Sequence, residues 1–279
     1  MIIIKGKKIR WIILGVCLIL FTTIMIFVIT KNKLYIDDIG YNIISKLRSN
    51  NMDKIVKIIT NIGGTIVIGI VTIISLFIFR NKKINICIVL NLLGIVVLNN
   101  VIIKNIIGRD RPSDINIITE AGKSFPSGHS AVSMVVYGYL IYLTYNYIKN
   151  KKIKYLLISI LSILILVVGL TRIYLGVHYT SDVLGGYLLG IVYLLLFTYI
   201  SDKYIKEKPK SVEKKSPFYR WTTYLTTKQI FLFCFSFNRL LSISFFISLL
   251  YLGCFSIVRV SSFILDMILV SSSFRYLST

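Results

Sequence analysis

Apolar residues run along this chain in blocks long enough to cross a bilayer, and clusters of lysine and arginine punctuate them. Residues 11–30 form the first block, preceded by Lys5, Lys7, Lys8 and Arg10 and not followed by an A-x-A-like cleavage site. The pattern predicts an uncleaved first span with its N-terminus in the cytoplasm. Residues 34–50 set Ile36, Ile39, Ile43 and Leu47 at helical spacing opposite Asp38, Asn42, Lys46 and Ser49, which predicts a short amphipathic helix on the outer surface. Further spans are expected at 55–79, 84–103, 127–148, 155–174 and 183–200, with a polar outer loop over 104–124. Asn91, Asn99 and Asn100 fall inside the third span and should hydrogen-bond between helices, because amides facing lipid go unsatisfied. Gly186 and Gly190 in the sixth form a G-x-x-x-G that favours close helix packing.

The expected fold is therefore all-α, a polytopic membrane bundle of six core transmembrane helices. Composition agrees: 56% of the residues are hydrophobic and the mean hydropathy is +0.78. The net charge of +22 is spread in short clusters between apolar blocks, which reads as topology signal rather than as a nucleic-acid surface. Up to Lys215, the presumed cytoplasmic segments hold 17 Lys and Arg against 11 on the other side, and this bias supports the orientation. Cys17, Cys87, Cys234 and Cys254 lie in apolar segments without paired spacing, so neither a disulfide framework nor a zinc site is indicated. After about Ser201 a Lys/Glu/Pro linker leads into a Phe- and Ser-rich stretch. We therefore divide the chain into a six-span domain, 1–208, and a linker with C-terminal tail, 209–279, in which residues 240–258 are apolar enough for a further span.

Three polar clusters interrupt the apolar pattern, and the topology puts all three at the outer face. They are KNIIGRDRP from Lys104 to Pro112, SFPSGHS from Ser124 to Ser130, and TRIYLGVHYTSD from Thr171 to Asp182. Ionisable groups beside bilayer spans are costly, which makes them functional candidates. Lys104, Arg111 and Arg172 supply three cations suited to an anion with several oxygens. Pro126 to His129 opens a helix whose free N–H groups and dipole favour the same anion, and Gly128 lets the backbone approach it closely. His178 and Asp182 are one helical turn apart. His178 is thus a candidate nucleophile oriented by Asp182, with His129 as general acid and base.

Each residue also has a plainer role: Lys104 as a snorkelling anchor, Arg172 and His178 satisfied by interhelical bonds, and Arg109 with Asp110 paired in a solvated loop outside the site. Ser124 and Ser130 read as cap or packing residues, and Tyr174 and Tyr179 as interfacial aromatics. Two other chemistries use the same inventory. Ser127 as a hydrolase nucleophile lacks the G-x-S-x-G elbow, and a metal held by His129, His178 and Asp182 would be repelled by the nearby cations.

At these residues the sequence resembles the type 2 phosphatidic acid phosphatase (PAP2) superfamily, which also includes vanadium haloperoxidases and bacterial acid phosphatases. Its signature, K-x6-RP, PSGH and SR-x5-H-x3-D, appears here as Lys104 with Arg111-Pro112, Pro126 to His129, and Thr171-Arg172 with His178 and Asp182. Thr171 replaces the usual Ser and keeps a hydroxyl. The resemblance implies a helical, metal-independent phosphatase that needs no cofactor, with His178 as nucleophile, Asp182 as its partner and His129 as acid and base. Lys104, Arg111, Ser127, Gly128 and Arg172 would hold phosphate. The expected function is hydrolysis of a membrane lipid phosphate of the phosphatidic acid, phosphatidylglycerol phosphate or undecaprenyl pyrophosphate class, at the extracytoplasmic face of the cell membrane. The competing expectation is a non-catalytic lipid-phosphate binding or transport protein.

Overall fold

A computed structural model describes residues 7–206 except Asn32 and Asp114. The predicted tail, its apolar stretch 240–258, Cys234 and Cys254 lie outside the described residues. Within them every regular element is helical: α1 Lys7–Lys31, α2 Tyr35–Ser45, α3 Asn50–Thr60, α4 Thr65–Ile78, α5 Lys82–Val96, α6 Lys104–Ile107, α7 Gly128–Tyr147, α8 Lys151–Tyr174 and α9 Thr180–Lys206. A π-helical stretch, Val97–Ile103, joins α5 to α6, so these elements form one continuous apolar rod from Lys82 to Ile107.

Local sequence explains where the helices begin. Asn81 and Asn150 cap α5 and α8 by accepting from the free N–H groups two and three residues on, and Ser49 caps α3 through Met52 N–H. The C-terminus of α8 is finished from a distance, since Arg48 Nη2 donates to the carbonyls of Tyr174 and Ile115, each at 2.8 Å.

Four helices are long and apolar enough to cross a membrane: Lys8–Lys31, Lys82–Ile107, Lys151–Tyr174 and Thr180–Lys206. The predicted second span is not one straight helix. Asn61–Gly63 forms a 3-10 turn and Gly64 is extended, so α3 and α4 meet at 47° and count together as a bent span. The sequence Asn61-Ile62-Gly63-Gly64 is a poor helix former, and Tyr137 Oη donates to the Ile62 carbonyl that the break exposes. The predicted amphipathic helix also ends early, at Ser45, and Ile36, Ile39, Ile43 and Leu47 all face outward.

The fourth expected span, α7, is less apolar than the others because it is the central helix. Its buried residues run from Ser130 to Thr144 and it packs against α5, α8 and α9. Gly186 and Gly190 allow α9 to approach closely: a Cβ on Gly186 would lie 2.7 Å from Ser127 O, and one on Gly190 2.8 Å from Met134 Cβ. The G-x-x-x-G therefore sets how near α9 comes to α7. Asn91 meets expectation by donating across to Val135 O at 3.2 Å. Around this core, α1, α4 and α8 carry exposed Ile12, Ile19, Ile66, Phe77, Leu156 and Ile163, surfaces that match a hydrocarbon solvent. The protein is a helical membrane protein.

Candidate active site

Alternating helix directions bring the ends of α3, α5–α6 and α8 and the starts of α2, α7 and α9 together. The π stretch delivers Lys104 there. Its partner is Gly128, since a Cβ added to that residue would stand 3.1 Å from Asn100 Oδ1 and 3.7 Å from Lys104 Nζ. Ser127 is the N-cap of α7, accepting from Ser130 N–H at 3.5 Å and Ser130 Oγ at 3.0 Å. Its own N–H donates to Asp182 O at 3.0 Å, which fixes the start of α7 to the start of α9.

The third cluster folds around Gly176, whose φ of 68° turns the chain and whose missing Cβ makes room for Ile115 O. This turn places His178, 2% exposed, below Arg111. Arg111 Nη1 lies 3.1 Å from His178 Nε2, and a guanidinium only donates, so Nε2 must carry its lone pair. The proton then sits on Nδ1, which faces Asp182 Oδ2 at 3.4 Å and Ser124 Oγ at 3.3 Å. Burial is the main force on this imidazole and pushes its pKa down to about 4; Asp182 opposes the shift, and Arg111 and Arg172 reinforce it. His178 is thus neutral at pH 7 with Nε2 turned towards cations.

Arg172 is 1% exposed, and its Nη1 donates to Thr60 Oγ1 at 2.6 Å. Its Nε is buried without a partner among the described residues. His129 opens α7 with Arg172, Glu120, His178 and Lys104 as its electrostatic neighbours. All eight residues expected from the three clusters therefore meet in one region, although Ser127 is engaged as a helix cap.

Several expectations fail here for physical reasons. Arg109 is not in a solvated loop with Asp110, which pairs instead with Lys123. Its guanidinium is buried, Nη1 donating to Asp182 Oδ1 at 2.6 Å and Ser181 Oγ at 2.8 Å, and Nη2 to Asp37 Oδ2 at 2.8 Å. Two buried carboxylates require a cation between them, and Arg109 is that cation. Ser124 is not a packing residue: its Oγ donates to Asp182 Oδ2 at 2.5 Å beside the His178 Nδ1 proton. Tyr174 and Tyr179 are not belt aromatics. Tyr174 is buried and donates to Asp53, and the Tyr179 ring lies 4.0 Å from the Arg109 guanidinium.

Sequence reading missed Asp37, Thr60 and Glu120. Glu120 pairs with Arg172 through Oε1 and with Arg111 through Oε2 at 3.0 Å. It is the only glutamate before residue 207, which was the available signal in a chain so short of acids. A cavity of about 290 Å³ opens beside His178 on the α2 side, lined in part by Asp38, Tyr41, Asn42 and Ile173.

The fold and site define a helical membrane protein in which a buried histidine lies beside the cationic side chains of Arg111 and Arg172. Residues 85–206 match the family model of the PAP2 superfamily. Phosphatidylglycerophosphatase B of Bacillus subtilis (strain 168) is 36% identical over 108 residues, covering 37% of this chain and 52% of that protein. The match thus spans about half the length of that curated relative. The crystal structure of a transmembrane PAP2 type phosphatidylglycerolphosphate phosphatase from Bacillus subtilis is similar with a TM-score of 0.62 and 25% identity, covering 70% of this chain and 98% of that one.

Proposed function

We propose that this protein is a membrane lipid-phosphate phosphatase working through a phosphohistidine at the extracytoplasmic face, with phosphatidylglycerol phosphate as the first substrate to test. The observation that carries the reading is the 3.1 Å approach of Arg111 Nη1 to His178 Nε2, which puts a nucleophilic lone pair beside the cation that would hold the phosphate. Lys104, Arg111 and Arg172 neutralise the equatorial oxygens, the electrostatic work that phosphoryl transfer chiefly requires. Nε2 attacks phosphorus and the P–O bond to the lipid breaks. His129 gives the departing lipid alkoxide its proton. In the second half-reaction His129 takes a proton from water, hydroxide attacks phosphorus, the P–N bond breaks and inorganic phosphate leaves.

Asp182 and Ser124 hold the Nδ1 proton in place and so keep Nε2 as the attacking atom. The names of the two relatives motivate phosphatidylglycerol phosphate, and the positive-inside bias motivates the outer face. The deciding experiment is phosphate release by the purified full chain from phosphatidylglycerol phosphate, phosphatidic acid and undecaprenyl pyrophosphate, each with and without EDTA. Turnover should survive EDTA and fall about 10³-fold or more in His178→Ala. Undiminished turnover in that variant overturns the nucleophile, and absence of turnover on all three lipids favours a binding or transport protein.

A further inference from the structure

Glu120 occupies the place that the reaction needs for its substrate. Its two carboxylate oxygens engage the two arginines of the phosphate cradle, Oε1 on Arg172 and Oε2 on Arg111. A carboxylate bridging two guanidiniums presents what two phosphate oxygens would present. The side chain is 25% exposed, so it has solvent beside it, whereas the Arg172 side chain is 1% exposed and has nowhere else to go. Burial favours the protonated carboxyl, but the pairs with Arg172 and Arg111 outweigh it and hold the pKa at about 2, so the group is an anion at neutral pH.

Arg111 is otherwise fully used. Its Nε donates to Gly122 O, Nη2 to Ala121 O and Nη1 to Val177 O, and the first two acceptors lie on the same segment as Glu120. An incoming phosphate therefore gains Arg172 Nη2 and the Arg111 Nη1 contact by displacing Glu120, while the neighbouring carbonyls keep Arg111 in position.

We infer that Glu120 is a specificity residue, an internal carboxylate that every anionic ligand must displace, so that singly charged phosphodiesters are shut out and a doubly charged phosphomonoester is admitted. The inference rests on the proposed phosphatase reading. It answers a difficulty that any such site meets in a membrane: phosphodiester headgroups surround it in large excess over the substrate. Three cations without Glu120 would bind those headgroups too. With Glu120 present, a monoanion replaces one charge by one charge and gains little. A phosphomonoester above its second pKa of about 6 replaces one charge by two.

The test uses the purified full chain, wild type and Glu120→Gln, with two measurements. In the first, inorganic phosphate is titrated and binding is read from the thermal shift, which does not depend on turnover. Loss of a charged competitor is expected to tighten phosphate binding about 10-fold or more, as a charge-assisted hydrogen bond of about 1.5–3 kcal/mol implies. In the second, lipid-phosphate turnover in neutral detergent micelles is challenged with phosphatidylglycerol. Wild type should be insensitive and Glu120→Gln competitively inhibited.

Glu120→Asp keeps the charge with a shorter reach and should lie between the two, which serves if Glu120→Gln folds poorly. Unchanged or weaker phosphate binding in Glu120→Gln, with wild type active, overturns the role of Glu120 and leaves the phosphatase reading standing. If neither protein binds phosphate or turns lipid over, the cradle itself is wrong and the inference falls with it.

Discussion

Arg109 offers the sharpest test of how the site is built. Its side chain is 1% exposed and stands between the carboxylates of Asp37 and Asp182, both fully buried. Arg109→Met keeps most of the chain length and the contact with the Tyr179 ring but removes the charge, leaving two buried carboxylates uncompensated. Breaking a buried pair in this way costs about 3–5 kcal/mol. For a domain of this size each kcal/mol moves Tm by about 2–4 °C, so a drop on the order of 10 °C is expected in detergent.

Asp37→Asn alone retains the Arg109–Asp182 pair and should cost only about 1–3 kcal/mol. The double variant carries one orphaned carboxylate instead of two, so it should be more stable than Arg109→Met, a non-additivity that a double-mutant cycle resolves. Arg109 does not touch the cradle, so kcat should fall with KM nearly unchanged, because what loosens is Asp182 behind the nucleophile. A wild-type Tm and kcat in Arg109→Met, or additive effects in the double variant, would refute the reasoning.

Removal of the Ser124 hydroxyl in Ser124→Ala takes a donor from Asp182 and a neighbour from His178 Nδ1, and kcat should fall about 10-fold or more, read from steady-state kinetics. Thr60→Val removes the acceptor for Arg172 Nη1 and should raise KM several-fold more than it lowers kcat. Gly186→Leu forces a side chain onto Ser127 O, so a stability loss of about 1–3 kcal/mol with loss of activity is expected from melting and turnover assays. With only two histidines in the chain, imidazole NMR of His129→Asn isolates His178, which should titrate near 4 and not near 6.5. The same depression has a sign for stability. Between those values the unfolded chain takes up a proton that folded His178 refuses, so this group lowers stability as pH falls from about 6.5 towards 4.

The features that lay open in the sequence are those written in short range. Apolar blocks between basic clusters placed every expected span but the bent second one on a single continuous helical stretch, and the fixed spacings of Lys104 with Arg111 and of Arg172 with His178 and Asp182 marked residues that the fold gathers. The features that stayed hidden depend on long-range partners. Asp37 carried no signal of its own in the sequence, and only the fold shows it accepting from Ser181 N–H and Arg109, some 144 and 72 residues away. Arg109 and Arg111 are two residues apart in one loop, yet the first supports Asp182 from behind and the second faces His178 Nε2. Composition does not separate them, because the difference lies in which carboxylates each meets across the fold, Asp37 and Asp182 for Arg109 and Glu120 for Arg111. The same holds for the bend at Asn61–Gly63, where a locally apolar run conceals a break stabilised by Tyr137.

Those hidden partners change what counts as the functional unit. The PAP2 match begins at residue 85, yet Asp37, Arg48 and Thr60 precede it and bond to the groups that shape the site. Asp37 is in the first turn of α2, whose outward face carries Ile36, Ile39 and Ile43, suited to the membrane boundary. One short helix thus exposes an apolar outer face and, through Asp37 and Arg109, is linked to the Asp182 carboxylate beside His178 on its inner face. Any rotation of α2 against the bilayer moves Asp37 and is felt at Asp182 through two bonds of 2.8 and 2.6 Å. Residues between Asp37 and Thr60 therefore help to build the site, and a variant confined to α2 that left the bundle intact would still be expected to alter kcat.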